Sequence, residues 1–425
     1  PDLLDGLPSF GDKRYAESRV LKEFPAISAT DVDDVVNAFA QVIGEFVSLF
    51  AQNPVLDGLG TAGLAKFNTD CKNAGLNLAP DLAVRLVASL TTKPLCILTG
   101  LAGSGKTKLA EALAMWLSAS PAQFRLVAVG ADWTNNEQLL GYADALHGNV
   151  YRKPANGALD LLLAAHDQPE LPHFLILDEM NLSHVERYFA DVLSAIESAN
   201  APIALHAHGG PLPAAPGSLD QVPPSIKLPR NVFIIGTVNV DETTYTFSPK
   251  VLDRANVIEF RATKDQLSAF LDDPARLQLD ELVASGCGKG SSYGPALVAQ
   301  AATDFDLDSL EEADEQTLKS ALLEAFELLA AVGAEFGFRT AHEMVRFVLL
   351  HKNLSGPQWQ LAQALDAQVL QKLLPRLHGS ARKLEPVLKA LAAFCDKHSL
   401  IASQEKIGRM QRRLLADGFA SFAEN

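Results

Sequence analysis

The chain has 425 residues, of which 48% are hydrophobic and 20% charged, a globular composition on a chain too long for one ordinary domain. Its formal net charge of -15 excludes a surface generally attractive to nucleic acid or anionic lipid, so any phosphate binding has to be local. Four scattered cysteines with no C-x-x-C pair exclude a disulfide scaffold and fit a reducing, cytoplasmic setting.

From Pro1 to about residue 90 the pattern is helical with loop breaks. Val32 to Gln52 repeats apolar residues at three- and four-residue spacing, with Thr30 placed as an N-cap. Between Thr91 and Ala262 short β-rich apolar runs alternate with helical ones: PLCILTG, FRLVAVG, HFLILDE, NVFIIGTVN and ANVIEFR. That alternation predicts an α/β fold, a parallel sheet flanked by helices. His206 and His208 fall on one strand face, but two imidazoles alone make no metal site. His208 to Arg230 carries six prolines and predicts a long surface loop. Beyond Thr263 the chain reads as nearly all helix. Ser309 and Glu312 stand at capping-box spacing, and later helices follow Gly356-Pro357, Gly379-Ser380 and Ser403. No apolar stretch reaches the length of a membrane span, and no repeat of fixed period is present.

Three glycines crowd LTGLAGSGKTKLAEALA, Leu98 to Ala114, where packing has no use for them. Gly100, Leu101, Ala102, Gly103, Ser104, Gly105, Lys106 and Thr107 fit G-x-x-x-x-G-K-[ST] between a strand and a helix. Bare glycine backbone turns successive N–H groups inward around a phosphate, with the positive end of a helix dipole behind them. Lys106 is expected on the β- and γ-phosphates and Thr107 on Mg²⁺, with Lys108 completing the phosphate-binding stretch.

HFLILDEMN is an apolar strand ending in two acids. Asp178 is expected behind the Mg²⁺ shell, and Glu179 orients the attacking water. The competing reading makes the acids helix caps, but Ser183 and Glu186 already supply a capping box there. In NVFIIGTVNVDE the strand ends in Asn239, an amide placed to sense water and γ-phosphate. Arg254 precedes the next strand, where an exposed pair with Asp253 or Glu259 would contribute too little to explain it.

These residues together resemble an AAA+ ring NTPase, most closely the McrB family of modification-dependent restriction motors, in the branch that includes MoxR proteins. LTGLAGSGKT, VGADWTNNEQLLGY, FLILDEMNLSHVERYFADVLSAIES and GTVNVDETTYTFSPKVLDRANVIEF carry the resemblance. It implies a five-stranded parallel sheet, a hexameric ring and nucleotide held between subunits. By position Asn239 resembles the first sensor and Arg254 an arginine finger entering the neighbouring site. Arg339 resembles the second sensor on a lid helix, with Arg346 as its rival. The implied division is a helical extension over 1–90, the nucleotide-binding core over 91–262 and a helical lid over 263–425.

McrB proteins carry an N-T-A-D element and use GTP. Here the residues are Asn239-Val240-Asp241-Glu242, with no N-K-x-D guanine motif, so ATP and GTP both stand as substrates. The resemblance further implies a McrC-like nuclease partner and DNA read by another domain or subunit, upstream of Pro1. The leading expectation is a motor of a restriction or antiviral defence system. The rival is a MoxR-like ATPase that remodels protein complexes without touching DNA. The last fifty residues hold nine Lys or Arg against five Asp or Glu, four of them in KIGRMQRRL, which reads as a solvated helix face before a DNA patch. Trp133 is expected in the core.

Overall fold

The computed structural model describes residues 59–422 except 80, 148, 199–200, 217, 219, 241–246, 273–275 and 304–309. The predicted helix from Val32 to Gln52, the Ser309 cap and the acids Asp241 and Glu242 lie outside the described residues. Residues 62–301 form one compact unit, and residues 302–422 with 59–61 form another.

The first unit is built on five strands: β1 (Leu95–Gly100), β2 (Phe124–Ala128), β3 (His173–Asp178), β4 (Val232–Asn239) and β5 (Asn256–Glu259). These are the five apolar runs picked out by their alternation with helical segments. They make one sheet in the order β5-β1-β4-β3-β2, with every neighbouring pair parallel. β1 is buried along its whole length, as befits an interior parallel strand covered on both faces, and the edge strand β2 is largely uncovered. The register sets Gly100 beside Asn239 and Asp178 beside Ala128, so the ends of β1, β3 and β4 that carry the singled-out residues meet at one carboxyl edge. Crevices at that edge are where open α/β sheets bind ligands.

Helices α1 (Thr61–Asn73), α2 (Leu82–Thr92), α3 (Lys106–Leu117), α4 (Ala158–Asp167) and α5 (Ala190–Glu197) belong to the same unit. Trp116 near the end of α3 is fully buried. It stacks on Tyr293 with centroids 5.5 Å apart, meets Phe67 of α1 edge-on at 5.2 Å, and donates its indole N–H to Asp70 at 2.8 Å. The apolar side of α3 therefore takes cover from both flanks of the stretch 91–262. The compact unit accordingly runs wider than that stretch, taking in 62–90 and 263–301.

The proline-rich stretch is more ordered than a plain loop. Ile203–Ala204 pairs antiparallel with Ser225–Ile226, and Leu212–Pro213 with Gln221–Val222. Burial of Ile203, Leu212 and Val222 holds these two-residue ladders, which are short enough to leave most prolines at their ends.

The second unit is helical: α6 (Glu312–Ala330), α7 (Phe338–Ser355), α8 (Leu361–Gln368), α9 (Ala381–His398) and α10 (Ile401–Asp417). A π-helical turn, Val369–Leu373, follows α8. Strands His378–Ser380 and Phe419–Ser421 pair antiparallel and tie the start of α9 to the end of α10. The last helix begins two residues before the predicted Ser403 start. Ser403 is buried inside it and donates its backbone N–H to Asp366 at 2.8 Å. Among the described residues no helix is long and apolar enough to cross a membrane.

Candidate nucleotide site

The loop after β1 has its shape because of its glycines. A Cβ on Gly100 would run into the carbonyl oxygen of Phe260, whose own N–H donates to Thr99 at 2.6 Å. Gly105, the residue before α3, has φ +96°, a left-handed conformation that side chains resist. Lys106 is buried, and its ammonium donates to the carbonyls of Gly100 (2.9 Å) and Leu101 (2.6 Å) and to Ser104 Oγ (3.3 Å). A fixed cation thus sits inside the loop at the N-terminus of a helix, the arrangement an anion needs. Lys108, by contrast, turns along the helix surface to Glu111 at 2.6 Å.

The acids meet this loop through hydroxyls. Thr107 Oγ1 donates to Asp178 Oδ1 at 2.7 Å. Thr237 Oγ1 donates to the same oxygen, also at 2.7 Å, and accepts the backbone N–H of Glu179 at 3.1 Å. Asn239 Nδ2 donates to Glu179 Oε1 at 3.1 Å. Glu179 itself has φ +53°, a costly backbone conformation for a residue with a side chain. β4 lies between β1 and β3, so the loop, Asp178, Glu179 and Asn239 converge. Thr237 was not singled out from sequence. The available signal was its spacing: two residues before Asn239, it shares a strand face with that amide.

The capping box expected at Ser183 and Glu186 does not form. Ser183 Oγ donates to the carbonyl of Trp133, and Glu186 Oε1 accepts the backbone N–H of Ser248 at 2.9 Å. Tertiary partners have taken both groups. Burial works to raise the Glu186 pKa, but the hydrogen bonds from Ser248 and from its own backbone, with the nearby His184, together outweigh it and hold the carboxyl below its ordinary value. Trp133 is buried edge-on against Tyr188 at 5.3 Å.

Arg254 pairs with Glu197 at the end of α5 and donates to the Lys250 carbonyl at 2.6 Å. Arg339 lies in the helical unit on α7, 3.9 Å from Glu343, which in turn pairs with the buried Lys372 at 3.0 Å. Arg346, on the same helix, donates to the Thr303 carbonyl at 2.7 Å. The basic stretch at the C-terminus is broken up. Lys406 is buried with its ammonium 4.2 Å from the Phe422 ring centroid, and Arg413 pairs with Asp417 at 2.8 Å. His206 Nε2 lies 3.0 Å from the Val222 carbonyl oxygen. The described cysteines are all free thiols, and burial pushes Cys71 and Cys395 up to about 12.

The donor set at Thr107 and Asp178 fits Mg²⁺. Both are hard oxygen ligands, and Thr107 gives its proton to Asp178, which leaves its lone pairs for a cation. Among the described residues no cluster of three or more His, Cys, Asp or Glu could hold a metal alone. A Mg²⁺ bound chiefly by phosphate and water needs none.

A domain of unknown function (DUF8727) matches residues 297–419. Over 181 residues the chain is 25% identical to the type IV methyl-directed restriction enzyme EcoKMcrB subunit of Escherichia coli K12, a match covering 41% of this chain and 38% of that protein. A candidate ATPase from Cytophaga hutchinsonii matches at TM-score 0.46 and 14% identity, over 80% of this chain and 88% of the other. Saccharomyces cerevisiae Hsp104 with ADP matches at TM-score 0.26 and 17% identity, over 60% of this chain and 41% of the other. The acid strand and the strand before the glycine-rich loop are separated by the strand of Asn239 in a five-stranded parallel α/β sheet, and the similarity to the McrB subunit extends over less than half of either chain.

Proposed function

We propose that the chain is a ring-forming nucleoside triphosphatase, the motor of a McrB-like restriction or antiviral defence system, which hydrolyses ATP or GTP to drive a nuclease partner. One observation carries the reading: Asp178 accepts the Thr107 hydroxyl of the glycine-rich loop, the adjacent Glu179 carboxylate accepts the Asn239 amide, and Thr237 joins the two acids. An acid pair serving only the fold would have no need of three polar side chains at the mouth of that loop.

In this reading Lys106 exchanges its loop carbonyls for phosphate oxygens, and the backbone N–H groups of 101–107 cradle the same anion. Thr107 and Asp178 would hold Mg²⁺, which when bound neutralises charge developing on the phosphates. Glu179 Oε1, oriented by Asn239, accepts the proton of the attacking water. Arg254 supplies the remaining positive charge to a neighbouring subunit's site, and Arg339 acts from the helical unit as second sensor. DNA is read by another domain or subunit, and the protein works in the cytoplasm.

The test is specific activity against protein concentration, with MgATP and MgGTP, for wild type and Lys106→Ala. Activity should rise with concentration as sites are completed by neighbours, and Lys106→Ala should neither bind nor turn over nucleotide. Turnover by Lys106→Ala equal to wild type would remove the assignment.

A further inference from the structure

We infer that Thr237 is the positioning residue that sets Glu179 for catalysis, acting through one hydroxyl that serves both acids. This rests on the NTPase reading above and adds to it a residue outside the phosphate loop, the acid pair and the arginines.

Thr237 Oγ1 gives its proton to Asp178 Oδ1 at 2.7 Å and takes the Glu179 N–H at 3.1 Å. It is buried, so neither bond has water as a ready substitute. The oxygen that receives its proton also receives that of Thr107, so the metal-side acid is clamped from the loop and from β4 at once. The second bond falls where the backbone is least favourable, since Glu179 is held at φ +53°. A conformation of that kind persists only when its surroundings determine it. The next residue is fixed as well: the Met180 carbonyl accepts the Tyr188 hydroxyl at 2.8 Å, and a Cβ on Gly236 would collide with the Met180 sulfur. The left-handed turn is therefore pinned on its far side by Tyr188 and on its near side by Thr237. Two residues along the same face of β4, Asn239 holds the Glu179 carboxylate. One strand face thus sets both the backbone and the side chain of the residue that handles the attacking water.

The chemistry makes the hydroxyl specific. Valine fills nearly the same space but can neither donate to Asp178 nor accept from Glu179, whereas serine keeps both bonds. Removing a hydrogen bond to a charged group, together with a buried N–H partner, corresponds to about a 10- to 100-fold loss of rate when the loss is felt in the transition state.

The experiment compares full-length wild type, Thr237→Val, Thr237→Ala, Thr237→Ser and Glu179→Gln for kcat, nucleotide Kd and thermal midpoint with MgATP and MgGTP. Thr237→Val and Thr237→Ala should lose about 10- to 100-fold in kcat while nucleotide Kd stays within about threefold, and Thr237→Ser should recover most of the rate. A purely structural hydroxyl would instead weaken nucleotide binding along with the rate, in step with the thermal midpoint. The inference is overturned if Thr237→Val and Thr237→Ala keep wild-type kcat while Glu179→Gln is inactive. It is equally overturned if Thr237→Ser is as slow as Thr237→Val. Normal turnover by Glu179→Gln would bring down the hydrolytic reading itself, and this inference with it.

Discussion

On the proposed role of Arg254 in a neighbouring subunit's site, replacing it by alanine should abolish most hydrolysis while leaving the fold almost untouched. Arginine fingers in related phosphoryl-transfer sites contribute about 10³- to 10⁵-fold in kcat, or about 4–7 kcal/mol of barrier. Within its own chain Arg254 pairs with Glu197, the side chains being 15% and 38% exposed. A pair open to solvent to that degree contributes at most about 1 kcal/mol, which for a unit of this size moves the thermal midpoint by only about 2–4 °C. Rate and stability therefore separate widely. The assay mixes Arg254→Ala, which keeps its phosphate loop, with Lys106→Ala, which keeps its arginine but lacks a working loop. Each should be inactive alone. Interfaces joining the intact loop of one to the intact arginine of the other should recover a measurable fraction of hydrolysis. Excess protein and modest salt are needed, because a dissociated ring would mimic failed rescue. A verified mixed oligomer that stays inactive would refute the trans role, and so would full activity in Arg254→Ala alone.

Other outcomes follow from the same contacts. Trp116→Ala removes a fully buried indole from between Tyr293 and Phe67 and should cost about 3–5 kcal/mol, read as a lower urea midpoint. Glu186 has a folded pKa below its unfolded one, so its stabilisation is complete above about pH 4.3 and is lost as pH falls through the lower folded value. Glu186→Gln should therefore destabilise more at pH 7 than near pH 4, as measured by chemical denaturation. Cys71 and Cys395, pushed up to about 12 by burial, should react with a thiol reagent at pH 8 only as fast as the protein opens, and promptly once it is unfolded.

The sheet was legible because each strand carries its own signal. Five apolar runs bounded by polar or glycine residues mapped onto five parallel strands, since buried parallel strands need continuous apolar sequence. The glycine-rich loop, Asp178, Glu179 and Asn239 stand out in the sequence for the complementary reason that packing has no use for them where they stand, and the sheet order brings them together. What escaped was set by distant partners. Ser183 and Glu186 match a local capping rule, but Trp133 and Ser248 compete for both groups and win. Thr237 looks like an ordinary β-branched strand residue until β3 brings Asp178 and Glu179 beside it. Glu197 lies 57 positions before Arg254, and only the fold joins them. The reach of the core unit into residues 62–90 and 263–301 likewise depends on Trp116, whose cover comes from both ends of the stretch.

The most direct measurement is single-turnover hydrolysis of MgATP and MgGTP by wild-type and Glu179→Gln protein, at concentrations that assemble the wild type, beside a nucleotide-binding titration. Binding depends on Lys106 and the loop, whereas water activation depends on the Glu179 carboxylate. Glu179→Gln should hence bind nucleotide within about threefold of wild type while hydrolysing it at least about 100-fold more slowly. Hydrolysis at the wild-type rate, or loss of binding in place of loss of turnover, would contradict the assignment of Glu179 as the residue that activates water.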